Sequence, residues 1–159
     1  PKLLSAGTDT TSTLPLFEGE GVPLRTHALY SREELFAGLG GQEENFKVPG
    51  GVVNGVVPFD PTNTTALLVT LEKSEKHFSP ATMYKDYAIS TDEFAWDSQS
   101  ATTPESPTGQ LFQHHEERCR RIVLFARQYR ENRLGPEPYM CLGTVKYISH
   151  EGSKPMHIR

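Results

Sequence analysis

ALLVTLE (66–72) is short, almost continuously apolar and without helical period, which predicts a buried central strand. DPTNTT (60–65) before it reads as a turn. Upstream of that, GGVVNGVVPF (50–59) is rich in β-branched residues but interrupted by glycine, so a bent or bulged strand is expected. Two further strands follow downstream, RRIVLFARQY (120–129) and YMCLGTVKYIS (139–149), the second bent at Gly143. A last short strand is MHIR (156–159).

Helices are few and short. Ser31-Arg32-Glu33-Glu34 is a capping box, Leu35, Phe36 and Leu39 supply the apolar side, and Gly40-Gly41 stops the helix. Ser106-Pro107 reads as N-cap and first helical residue of a helix running to about Arg118, with Leu111 and Phe112 inward. Ser90-Thr91-Asp92-Glu93 is a second capping-box pattern, predicting one helical turn that presents Phe94 and Trp96. With Tyr84 to Ile89 as a further strand, the total is five to seven strands and two or three short helices. That is an α+β domain on a mixed, strongly curved sheet. Residues 1–24 show no steady period and read as an irregular N-terminal arm; residues 25–159 form a single domain.

The chain of 159 residues carries a net charge of −4, unevenly distributed. Residues 1–117 hold 7 Lys/Arg against 17 Asp/Glu, and residues 118–159 hold 9 against 3. That split permits a cationic face on an acidic protein, or two solvated surfaces of opposite sign. Cys119 and Cys141 are too few for a disulfide framework and form no CxxC. Both read as lying in strands, so two buried free thiols in a reducing cytoplasm are expected. No apolar run approaches the roughly 20 residues of a membrane span, and no signal segment opens the chain. The start at Pro1 without methionine suggests a domain taken from a longer protein.

Chemistry concentrates between Thr70 and Gln99, which hold the only tryptophan, Trp96, with Phe78, Tyr84, Tyr87 and Phe94. Interleaved are Lys73, Lys76, His77, Lys85, Asp86, Ser98 and Gln99. Lys73 follows the central strand directly, and strand alternation places Asp86 and Tyr87 on opposite faces. Flat rings beside a carboxylate, an amide and several cations suit a planar polar ligand: rings stack on its faces while polar groups read its edge. The alternative is that the rings are simply core. Catalytic patterns fail. Glu72 and Lys73 are adjacent and point to opposite faces, His114-His115 cannot both face one metal from a helix, and no H-E-x-x-H, G-x-S-x-G or phosphate-cradling glycine loop occurs. No catalytic residue, cofactor or metal ligand is expected.

HALYSREELFAGLG (27–40), VTLEKSEKHFSPATMYKDYAIS (69–90), FAWDSQSATTPESPTG (94–109), RRIVLFARQ (120–128) and YMCLGTVKYISHEGSKPM (139–156) together resemble a known domain. It is a domain of formally unknown function, found at the C-terminal end of bacterial DEAD/DEAH-box helicases and beside nuclease modules in modification-dependent (type IV) restriction enzymes. The resemblance covers about residues 25–158. It implies an SRA/PUA-like fold, a partly open barrel, and a cytoplasmic, non-catalytic reader of modified double-stranded DNA, 5-methylcytosine above all. Cutting and ATP use would belong to helicase or nuclease domains of the same parent protein.

Under that reading the base is flipped out, at a cost of a few kcal/mol. Tyr84, Tyr87 and Trp96 are then candidate stackers, at about 1–3 kcal/mol per base. Asp86 would accept from the exocyclic amine, with Ser98 or Gln99 completing the edge. Phe78 or Phe94 would receive the 5-methyl group, worth about 0.8 kcal/mol. Lys73, Lys76, His77 and Lys85 are candidate phosphate contacts, with Arg118, Arg120 and Arg121 more distant ones. Two alternatives remain open: a module coupling a helicase motor to its nuclease, and a reader of a backbone mark such as phosphorothioate.

Overall fold

The central strand is Thr64–Thr70, β3, and all seven of its residues are buried. Its neighbour is β6 (Arg121–Arg127), which pairs with it in parallel from Thr64↔Arg121 to Thr70↔Arg127. In this computed structural model residues 13–41, 55–73 and 86–159 are described. Among them the chain makes two α-helices and eleven strands. Three strands complete the main sheet: β1 (Leu29–Tyr30), β2 (Val56–Phe59) and β9 (Tyr139–Val145). The sheet is open, in the order β1-β9-β6-β3-β2, and only its β3–β6 pair is parallel. It is therefore mixed, as expected.

The unbroken apolar run of β3 follows from burial on both faces. Ala66 and Leu68, with Val123 and Phe125 of β6, point into one core. Leu67 and Val69, with Ile122, Leu124 and Ala126, point into a second. Helix α1 (Arg32–Gly38) supplies Leu35 and Phe36 to the first core, joined by Leu39 just beyond it. Both bonds of its capping box form: the Ser31 hydroxyl accepts from the Glu34 N–H, and the Glu34 carboxylate accepts from the Ser31 N–H. Residues 13–24 make one isolated bridge, Pro15 to Arg25, and Leu16, Phe17 and Leu24 are buried in this same core.

The second core is covered by a smaller open sheet in the order β10-β11-β5-β4 and by helix α2 (Pro107–Gln113). The sheet consists of β4 (Tyr87–Ala88), β5 (Phe94–Asp97), β10 (His150–Glu151) and β11 (His157–Ile158), all antiparallel. Gly109 lets α2 dock. A Cβ there would lie 2.0 Å from the Thr103 carbonyl oxygen and 3.1 Å from the Met156 sulfur. The remaining strands, β7 (Glu131–Asn132) and β8 (Gly135–Pro136), form a separate hairpin that leaves Leu134 almost fully exposed.

Several expectations are corrected. Ser90–Glu93 opens no helical turn. The Ile89 and Ser90 N–H groups both donate to the Glu93 carbonyl, and this turn returns the chain from β4 into β5. FAWD is thus a strand whose alternation buries Trp96. Helix α2 stops at Gln113, because the chain must then turn to bring Arg121 N–H onto the Asn63 carbonyl at the start of β6. Cys119 lies in that turn, left-handed at φ 52° and exposed, so only Cys141 is a buried thiol. Burial pushes the Cys141 thiol up to about 11. Gly143 adopts φ +100° beside a register shift opposite Leu124/Phe125, which is the expected bend, realised as a β-bulge. No helix among the described residues is long and apolar enough to cross a membrane.

Candidate nucleic-acid interface

The small sheet has two chemically different faces. Residues paired across antiparallel strands share a face, and successive residues alternate. Trp96 on β5 pairs with Ile158 on β11, and both are buried in the second core, as Phe94 is in part. The Trp96 ring meets the Phe112 ring edge-on, with centroids 5.2 Å apart. The opposite, outer face carries Tyr87 (opposite Ala95), Asp97 (opposite His157) and Glu151 (opposite His157). Tyr87 is 53% exposed. Tyr87 and Trp96, expected to stack on one base, therefore lie on opposite sides of the sheet. Trp96 and Phe94 serve the core.

A line of polar contacts ties this sheet to the end of β3. Backbone bonds from Leu71 to Arg127 and from Glu72 to Gln128 carry the β3 pairing onward. Lys73 follows, and its Nζ lies 2.6 Å from Asp86 Oδ2, with both side chains more than nine-tenths buried. The other Asp86 oxygen accepts the Asp97 N–H at 2.9 Å. Burial pushes the Asp86 carboxyl above its ordinary value, and the Lys73 charge opposes the rise. Asp97 Oδ1 in turn lies 2.6 Å from His157 Nδ1 on the outer face, where His157 is 60% exposed. Lys73, Asp86, Asp97 and His157 thus form a continuous chain from a buried ion pair to a surface imidazole.

Of the other expected edge readers, Ser98 has structural partners. Ser98 is fully buried: its Oγ accepts the Met156 N–H at 2.9 Å and donates to the Gln99 carbonyl at 3.3 Å. Gln99 is half-buried, and its carbonyl also accepts from the Thr102 N–H. Phe78 and Tyr84 lie outside the described residues, as do Lys76, His77 and Lys85.

Two of the arginines expected near phosphate face inward. Arg120 donates to Thr65 Oγ1 at 2.8 Å, to the Thr64 carbonyl at 2.9 Å and to Asp60 Oδ1 at 3.1 Å. Arg121 donates to Glu20 at 2.6 Å and to the Thr62 carbonyl at 2.7 Å, with its guanidinium 3.7 Å from the centre of the Phe17 ring. Arg118 is exposed. His115 is buried by the same turn. The Tyr147 N–H donates to its Nε2, so its Nδ1 carries the proton that reaches the Arg120 carbonyl.

Sequence reasoning missed the Asp97–His157 pair, because the two residues are 60 positions apart and FAWD was assigned helical period. Read as a strand, FAWD puts Asp97 on the polar face, and MHIR puts His157 on the matching one. Among the described residues no group of three or more His, Cys, Asp or Glu side chains is placed to hold a metal.

Comparison with curated proteins returns no match. The model of one family, described as a domain of unknown function (DUF3427), matches residues 24–158, and the chain belongs to that family.

Proposed function

We propose that this chain is a non-catalytic reader of modified double-stranded DNA, with an SRA/PUA-like architecture and 5-methylcytosine as its mark. The reading further assigns it to a restriction enzyme whose helicase or nuclease domains act on the DNA it recognises. The observation that carries the reading is the exposed Tyr87 ring on the polar outer face of the small sheet, beside the Asp97–His157 pair. A surface ring next to edge-reading groups suits an unstacked base, whose lost stacking it replaces by about 1–3 kcal/mol. Asp86 holds this face in shape through Lys73 and the Asp97 N–H. Of the three arginines expected near phosphate, Arg118 is the one left exposed.

Fluorescence anisotropy tests the reading, with one duplex sequence in unmodified, 5-methylcytosine, N6-methyladenine and phosphorothioate forms. The reading expects preference for the 5-methylcytosine duplex and loss of that preference in Tyr87→Ala. Equal, weak binding of all four defeats it. A second reading, a coupling module between motor and nuclease, is favoured by the β7–β8 hairpin, where Leu134 is 97% and Tyr129 52% exposed. A coupler would bind none of the four duplexes.

A further inference from the structure

We propose that the rim of the first core seats a phosphate group between the guanidiniums of Arg127 and Arg32, at a site separate from the outer face of the small sheet. The inference goes beyond the reader reading and does not rest on it. Strand alternation locates the site. Ala66 and Leu68 of β3 and Val123 and Phe125 of β6 point into the first core. Thr70 and Arg127, the last residues of those strands, therefore face the same side at its edge. Tyr139, which opens β9, is buried in that core and pairs with Tyr30 of β1. Arg32 follows Tyr30 by two residues and begins α1, which packs on this core. The small sheet covers the second core, on the other side of the main sheet.

Arg127 is half-buried and fixed in orientation. Its guanidinium lies 4.4 Å from the centre of the Tyr139 ring. Its Nε donates to Thr70 Oγ1 at 3.0 Å, and its Nη1 donates to the Glu137 carbonyl at 3.3 Å. These contacts set the plane of the fork and leave Nη2 for an incoming acceptor. Both acceptors are neutral. Arg32 is half-buried too, its guanidinium 5.0 Å from the centre of the Phe36 ring. Among the described residues no carboxylate accepts a hydrogen bond from either arginine. The Glu137 carboxylate accepts the Tyr129 N–H at 2.6 Å instead. The Arg130 carbonyl accepts the Glu137 N–H, which brings a third positive charge beside the group that Arg127 bonds. Burial pushes Arg127 below the ordinary arginine value, and the charges of Arg130 and Arg32 add to the fall. Like charges gathered at a half-buried rim repel one another, and an anion among them removes that cost. Two guanidiniums without a bonded carboxylate match the two negative charges of a phosphate monoester, whose oxygens fit a planar fork in pairs.

The experiment follows the arginine side-chain Nε–H signals of the isotope-labelled chain by NMR as inorganic phosphate is added at constant ionic strength. The Arg127 and Arg32 signals are expected to move and saturate together, while that of the exposed Arg118 stays in place. Arg32→Gln should weaken the phosphate dissociation constant read at Arg127 by about tenfold. Arg127→Gln should abolish saturation at Arg32. Circular dichroism checks the fold of both variants. Should Arg127→Gln fail to fold, Arg32→Gln carries the comparison, because it leaves the Thr70 and Glu137 contacts of Arg127 untouched. Equal affinity in the native chain and Arg32→Gln, or drifts shared by every arginine including Arg118, overturns the inference. A second arm adds DNA duplex to the phosphate-loaded chain. Signals of Arg127 and Arg32 that hold their phosphate-bound positions support a separate seat. Displacement of phosphate from Arg127 by duplex would make the seat part of a DNA-backbone surface and overturn the inference as well. Neither result bears on which base modification the small sheet prefers.

Discussion

The two sheets use their charged side chains in opposite ways. Around the main sheet, Arg120 and Arg121 turn inward and bond carbonyls at the start of β3 and carboxylates across the fold. On the small sheet the buried Lys73–Asp86 pair lies behind, and Asp97 and His157 continue it to an exposed face. A basic run in the sequence, such as Arg118 to Arg121, is thus a poor guide to a nucleic-acid surface when its members can reach unpaired carbonyls. A strand of mixed polarity such as FAWD reads more directly, because alternation turns half of its residues outward.

The sharpest way to break this contrast is at the buried pair. Lys73→Met should cost about 3–5 kcal/mol near neutral pH, since it leaves Asp86 buried without its partner. The sign follows from linkage. The folded-state value of Asp86 is raised, so its contribution to stability is full below the ordinary value of 3.8 and is lost as pH rises through the folded value. Removing Lys73 raises that folded value further, so the deficit of the variant should shrink as the solution is acidified. Urea unfolding of the native domain and Lys73→Met across the acid range checks this. The double variant Lys73→Met/Asp86→Leu should recover much of the loss.

A comparable loss separates the two faces of the small sheet. Trp96→Ala should destabilise by about 3–5 kcal/mol, as expected for a large ring removed from a core. Tyr87→Ala on the outer face should change stability by no more than about 0.5 kcal/mol. Thermal melts of the pair read the difference directly. Equal, small effects would mean that Trp96 is not core.

Smaller effects sharpen the arginine assignment. Arg120→Met should cost about 1–3 kcal/mol of stability through the acceptors it leaves unpaired. It should leave the salt dependence of DNA binding unchanged. Arg118→Ala should do the reverse, leaving stability alone and reducing the slope of log affinity against log salt by about one. The smallest change is Ser31→Ala, which removes the cap of α1 at about 1 kcal/mol and should not touch binding.

Much of the frame was legible in residue patterns. The apolar run at 66–72 marks the central strand, although β3 begins two residues earlier, where Thr64 and Thr65 are buried against expectation for threonine. The capping box at Ser31 and the N-cap at Ser106 are both where their side chains predict. Six of the eleven described strands have two residues, too short for any period to be read. Those short strands build most of the small sheet, so the candidate site was the least legible part. Aromatic content drew attention to Tyr87 and Trp96 but could not say that they face opposite ways. That depends on the register of β4 against β5, which sets Tyr87 opposite Ala95 and so on the other face from Trp96.

The most direct test is a map of backbone amide chemical shifts in the isotope-labelled domain as a 5-methylcytosine duplex is added. The account predicts the largest changes at Tyr87, Ala95, Asp97, Glu151 and His157, with Arg120, Arg121 and the α1 residues little moved. Changes confined to the Tyr129–Glu137 hairpin, or spread evenly along 118–159, would contradict it.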